Sequence, residues 1–130
     1  MNPTILFVCV HNAGRSQLAA GLAAAYAGES VRILSAGTDP DPAVSTTVLE
    51  SLAELGIDRS DQVPTRLTPA LMAQADVVVA LKPDLDLPEH PAVRTWPLPD
   101  PAGWDVEGIR PLRDHLETQV RRLVDELRAR

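Results

Sequence analysis

The stretch ILFVCVHNAGRSQLAAGL, residues 5–22, decides the fold. It opens inside TILFVCV, a short apolar run rich in β-formers, which reads as a buried strand. A loop from Cys9 to Arg15 follows. From Ser16 onward, SQLAAGLAAAYAG is a string of helix formers that stops at Gly28, a natural C-cap. A buried strand that hands over to a helix through a short loop is the first half of a βα unit. The only cysteine of the chain sits at the hand-over.

The same alternation continues outward. VRILSAG reads as a second strand and DPDPAV as a proline-rich turn. STTVLESLAELGI carries Val48, Leu49, Leu52 and Leu55 at helical spacing and stops at Gly56. LTPALMAQA is a short helix with Thr68 as N-cap and Pro69 at its first position. DVVVAL is a third buried strand and AVRTWPL a weaker fourth. IRPLRDHLETQVRRLVDELRAR closes the chain as a long amphipathic helix from Ile109. Strands alternating with helices predict an α/β fold of three layers, a four-stranded parallel sheet with helices on both faces. Ligands in such folds sit beyond the carboxyl ends of the strands, where the strand order reverses. Cys9 lies at such an end.

A length of 130 residues predicts a single domain over residues 1–130 with a core of its own. One cysteine excludes an internal disulfide and a multi-cysteine metal site, and it fits a reducing cytoplasm. A net charge of −6 argues against nucleic acid as a partner. The C-terminal arginines, Arg113, Arg121, Arg122, Arg128 and Arg130, alternate with acids and read as a solvated helix face. No signal peptide or membrane span is expected. Three scattered histidines without a companion thiol predict no zinc site. His90 and His115 read as surface residues, and His11 as a residue of the loop's rim. Trp96 and Trp104 read as core or loop anchors.

The loop is chemically loaded. A helix N-terminus carries unpaired N–H groups and partial positive charge, so residues Val10, His11, Asn12, Ala13, Gly14 and Arg15 form a cradle for a tetrahedral anion. Gly14 allows a positive φ and close backbone approach to a ligand. Asn12 tolerates the left-handed region better than other non-glycine residues. Arg15 can grip two oxygens of an oxyanion. The same donors favour a thiolate at Cys9, and Ser16 can donate to its sulfur. A nucleotide-binding loop is excluded, because it would end in Gly-Lys-Ser/Thr. Thiolate attack on a tetrahedral oxyanion calls for an acid to protonate the departing oxygen. Asp100, between Pro99 and Pro101, is a candidate. From the residues alone, LPDPAG reads equally as a plain Asp-Pro turn. Asp105 reads as a solvated loop residue.

CVHNAGRS resembles the C-x5-R-S loop of the low-molecular-weight protein tyrosine phosphatase superfamily, which also contains thiol-dependent arsenate reductases. SAGT (Ser35–Thr38), ADVVVAL, LPDPAG and LRDHLETQV are similar to further motifs of that superfamily in the same order. The resemblance implies a flavodoxin-like fold, Cys9 as nucleophile, Arg15 and Ser16 as its catalytic companions and Asp100 as general acid. It also implies that Ser35 supports Asn12. Gln17 after Arg-Ser, and Ala102-Gly103 after Asp-Pro, look like the reductase branch; phosphatases usually carry a proline and aromatic residues at these places.

The resemblance has a gap. Members coupled to thioredoxin carry two further cysteines after the third strand, where this chain reads LKPDLDLPEH with Lys82 at the first place. The expected reductant is therefore an external low-molecular-weight thiol as co-substrate, as in mycothiol-dependent arsenate reductases, with bacillithiol or glutathione chemically equivalent and a redoxin acting downstream. Arsenate, phosphate and sulfate are the expected oxyanion ligands, no cofactor is expected to stay bound, and a monomer suffices. Some members bind potassium through a glutamate on the first helix; Ala20 stands there, so no such ion is expected. The alternative is a phosphatase acting on phosphotyrosine or small esters.

Overall fold

A computed structural model describes residues 2–130. Eight elements follow in the order β1 (Thr4–Cys9), α1 (Arg15–Ala27), β2 (Arg32–Gly37), α2 (Thr46–Ala53), α3 (Pro69–Gln74), β3 (Val77–Ala80), β4 (Val93–Thr95) and α4 (Val106–Arg128). All four strands run parallel in the order β2-β1-β3-β4. The chain leaves β1 for a neighbour on one side and later returns to its other side. The reversal therefore falls at the carboxyl end of β1, the end occupied by Cys9.

Every residue of β1 is buried. Its alternation splits the core into two layers. Ile5, Phe7 and Cys9 face the larger one, with Leu18, Leu22, Val48, Leu52, Leu116 and Val120 from α1, α2 and α4. Leu6 and Val8 face a smaller one under α3, with Met72, Ala75 and Val78. Both faces of the sheet are covered, as the alternating pattern predicts, but unequally.

Helix α1 is buried over most of its circumference. Its alanines make this possible, because a narrow helix fits between sheet, α2 and α4. Gly21 marks the tightest point: a Cβ there would lie 2.7 Å from Leu52 Cδ1. Gly28 ends the helix at φ 58, its N–H returning to Ala24 O. The caps at Ser45 and Thr68 also form as expected, accepting from Val48 N and Leu71 N.

Three readings of the sequence change. Helix α4 starts at Val106 rather than Ile109, because Asp105 is its N-cap and accepts from Gly108 N at 2.7 Å. Asp105 is thus a cap and no idle loop residue. Arg113 is no solvated residue either. It is 7% exposed and donates to Ser51 O at 3.0 Å and to Glu54 Oε1 at 2.8 Å, tying α4 to the end of α2. Arg110 joins the same carboxylate, and the two guanidinium groups hold Glu54 down at about 2. His90 is half-buried and structural: its Nε2 lies 2.8 Å from Ala75 O, and its Nδ1 accepts from Ala92 N at 3.0 Å. His115 is exposed, as expected.

Candidate active site

The loop after β1 is shaped by what its carbonyls do. The carbonyl of Cys9 accepts from Thr38 N, that of Val10 from Asp39 N, that of His11 from Asp41 N and that of Ala13 from Ser45 N, at 2.8–3.2 Å. The segment between β2 and α2 therefore wraps the loop and takes its carbonyls outward. Peptide planes turned this way aim their N–H groups to the opposite, inner side. Among the described residues, the N–H groups of His11, Ala13 and Gly14 have no protein acceptor. The first turn of α1 adds its own unpaired donors. The result is a loop whose unpaired donors gather at the carboxyl end of β1.

Gly37, the last residue of β2, lets this wrapping happen. A Cβ there would lie 2.5 Å from Val10 O and 2.9 Å from Asn12 N. No side chain fits without moving the loop. The positive φ of the loop belongs to Asn12, at 50°. Gly14, which could take a positive φ, has φ −116°. Its close neighbour is protein: Pro101 Cγ would touch a Cβ at position 14 at 3.5 Å.

Cys9 sits at the floor, 3% exposed. Its Sγ is 2.9 Å from Ser16 Oγ and accepts from Asn12 N at 3.3 Å. Ser16 Oγ also accepts from Asn12 Nδ2 at 2.6 Å. That leaves the serine proton free to point at the sulfur, so the hydroxyl can donate to Cys9 Sγ. Asn12 is fully buried and cross-braced further: its Oδ1 accepts from Thr65 N at 2.8 Å and from Gln17 Nε2 at 3.3 Å. These bonds hold a left-handed residue that costs energy in isolation.

The braces differ from those expected. Ser35 lies in β2 opposite Phe7, and among the described residues its side chain makes no hydrogen bond. The support assigned to it comes from Ser16, Gln17 and the Thr65 amide. Gln17 and Thr65 brace Asn12, a contact the sequence did not disclose. Gln17 is 2% exposed, a burial unusual for its type, and its Oε1 has no partner.

Arg15 is 8% exposed, and its Nη1 donates to Leu98 O at 3.2 Å. The guanidinium thereby ties the cradle to the segment Leu98–Gly103. In that segment Asp100 is exposed, and its Oδ1 accepts from Ala102 N at 3.0 Å, an Asx turn. Its other oxygen stays free to carry a proton. Pro101 is buried against Gly14. Trp104 N donates to Pro101 O, and the ring packs half-buried on the larger core. Trp96 packs on Phe7 with ring centroids 6.2 Å apart. Both tryptophans are anchors, as the sequence suggests.

Cradle and acid segment together line a cleft of about 380 Å³, with His11, Ala13 and Gly14 on one wall, Asp100, Pro101 and Ala102 on another, and Asp41 and Ser45 beside them. No aromatic ring lines it. His11 is at the rim, half-exposed, with Nδ1 3.2 Å from both Asp41 Oδ1 and Asp39 O. Among the described residues no group of three or more His, Cys, Asp or Glu is placed to hold a metal ion, and no helix is long and apolar enough to cross a membrane.

A buried thiol below loop N–H groups without protein acceptors, with Arg15 tied to the segment that carries Asp100, makes this loop the candidate site. Residues 4–130 match the family described as low molecular weight phosphotyrosine protein phosphatase, and the chain belongs to it. A Halobacterium salinarum protein provisionally named an arsenate reductase is 37% identical over 128 residues, covering 92% of this chain and 89% of that one. A thioredoxin-dependent arsenate reductase of Corynebacterium glutamicum superposes with a TM-score of 0.81 at 32% identity over 98% of this chain, which spans 62% of that protein's length. An arsenate reductase in its phosphate-binding state superposes with a TM-score of 0.88 at 28% identity, covering 96% of this chain and 98% of that one.

Proposed function

We propose that the protein is an arsenate reductase that works as an arsenate–thiol transferase, for arsenic detoxification. The observation that carries this is Cys9 Sγ, set at the floor of a loop whose carbonyls are turned away onto residues 38–45. Arsenate rests on the N–H groups of His11, Ala13 and Gly14 and on the guanidinium of Arg15. The Cys9 thiolate, steadied by Ser16 Oγ and Asn12 N, attacks arsenic. An As–O bond breaks, Asp100 gives its proton to the departing oxygen, and water leaves. The product is a Cys9–arsenate adduct with arsenic still at its higher oxidation state.

No second cysteine exists to resolve that adduct. A low-molecular-weight thiol, mycothiol or a chemical equivalent, attacks arsenic as its thiolate. The new S–As bond forms, the Cys9 S–As bond breaks, and Cys9 leaves as a thiolate. Reduction comes afterward: a redoxin thiolate attacks the sulfur of the thiol–arsenate, a mixed disulfide forms, and arsenite departs with the electron pair. The chain itself binds no cofactor in this scheme and works as a monomer. Its need for a reduced thiol pool places it in the cytoplasm.

The alternative is hydrolysis of phosphotyrosine or small phosphate esters through the same loop and acid. The cleft favours the first reading, because it offers no aromatic wall for a phenyl ester. Arsenate and phosphate share shape and charge, so weak ester hydrolysis accompanies either reading. The deciding experiment measures arsenate consumption with mycothiol, bacillithiol and glutathione beside hydrolysis of an aryl phosphate. Thiol-dependent consumption of arsenate is the expected result. Brisk ester hydrolysis with no arsenate consumed under any thiol overturns it.

A further inference from the structure

The cleft is built with opposite charge at its floor and its mouth. At its base lie the loop amides of His11, Ala13 and Gly14, which have no protein acceptor among the described residues, and the nearly buried Arg15 guanidinium is held behind them on Leu98 O. The charged or titratable side chains that line the walls are Asp41, Asp100 and His11; no lysine or arginine is among them. Asp41 is fixed there by its own backbone, since its N–H donates to His11 O at 3.0 Å. Asp39 flanks it in the same way through Val10 O, and it is exposed. Arg66, which reaches the wrapping segment, donates its Nη1 to Thr38 O at 3.4 Å and does not line the cleft. The imidazole of His11 lies against Asp41, with Nδ1 3.2 Å from Oδ1.

A compact oxyanion passes this mouth and is held below it by the floor. A resolving thiol behaves differently. Its sulfur must reach arsenic on the floor, but its remainder stays between the walls. The charge of that remainder is therefore read by the rim aspartates and not by Arg15. We infer that the rim, with Asp41 as its selecting residue, restricts the second substrate to thiols whose body is uncharged or cationic and disfavours carboxylate-bearing ones. The inference rests on the transferase reading above. The step it governs is the transfer in which the thiolate–As bond forms and Cys9 leaves as a thiolate, with no change in oxidation state.

The test uses three small thiols of similar size: cysteamine (ammonium), mercaptoethanol (neutral) and mercaptopropionate (carboxylate). Each is compared at equal thiolate concentration as the resolving thiol in arsenate turnover, with a saturating redoxin couple. The expected kcat/KM falls in that order, by about tenfold from ammonium to carboxylate at low ionic strength. The spread narrows as salt is raised, because exposed charges are screened. Asp41→Asn compresses it to about threefold or less, and Asp41→Lys reverses it. Asp41 is exposed, and the salt titration of the unaltered protein reads the same effect without any substitution. Equal efficiency of all three thiols at low salt overturns the inference and leaves the transferase reading intact. A full-sized spread in Asp41→Asn removes the assignment to Asp41. Turnover with none of them overturns the transferase reading, and the inference with it.

Discussion

The cradle from Cys9 to Ser16 and the acid segment from Leu98 to Gly103 face each other across one cleft, and they are held in opposite ways. The cradle is buried and braced from three directions: by the β2–α2 segment through its carbonyls, by Thr65 N and Gln17 on Asn12, and by Ser16 on the sulfur. The acid segment is a surface turn. Its aspartate is held by one local bond to Ala102 N, and the segment is pinned at two points, Pro101 on Gly14 and Leu98 O on Arg15. The contrast suits the roles proposed for each part. Binding an oxyanion demands donors fixed before the ligand arrives. Delivering a proton demands a carboxyl that water can recharge between turnovers.

Breaking each side separately should therefore give different failures. Cys9→Ser removes the nucleophile and keeps the cradle. Turnover should fall by roughly 10⁴-fold or more, while sulfate or phosphate still binds, as read by calorimetry. Asp100→Asn keeps the Asx turn and loses the proton. Its kcat should drop by about 10²- to 10³-fold with the melting temperature unchanged, since the residue is exposed. Gly37→Ala attacks the wrapping itself. It should destabilise the fold by about 1–3 kcal/mol and weaken oxyanion binding together with it, in contrast to the two active-site changes. Denaturant titration beside calorimetry checks both effects.

The smallest effect sharpens the comparison from outside the site. Glu54 is held at about 2 by hydrogen bonds from Arg110 and Arg113. Its folded value lies below the ordinary carboxylate value of about 4.3. Its contribution to stability is thus complete above that ordinary value and is lost as the pH falls toward about 2. Glu54→Gln should flatten this part of the acid limb in a plot of stability against pH. Oxyanion affinity at neutral pH should not change, because the α2–α4 tie does not touch the cradle.

What the sequence disclosed of the site was local. Asn12 in a left-handed conformation, Ser16 against Cys9 and the strand–loop–helix order follow from residues within one turn of each other. So does the architecture, because buried strands and capped helices announce themselves in short windows. The missed residues act over long separations in the chain. Gly37 matters through Val10 and Asn12, Thr65 through its amide rather than its side chain, and Arg113 through Ser51 and Glu54 on another helix. Nothing near Gln17 in the chain announces that its amide will be buried against Asn12. The freedom of Gly14 to take a positive φ goes unused, because Asn12 supplies the left-handed residue of the loop. Asp105, read as a solvated loop residue, proves to be a cap: it stands directly before an amphipathic run and accepts from the third residue on.

The central claim is that Cys9 carries arsenic only as far as a thiol from solution. Rapid-quench mass spectrometry of the intact protein with arsenate, in the presence and absence of a low-molecular-weight thiol, tests it directly. The account predicts an arsenate-mass adduct on Cys9 that is absent in Cys9→Ser and is cleared when the thiol is added, with thiol–arsenate appearing in solution. Steady release of arsenite without any added thiol, or no adduct on Cys9 at all, would contradict it.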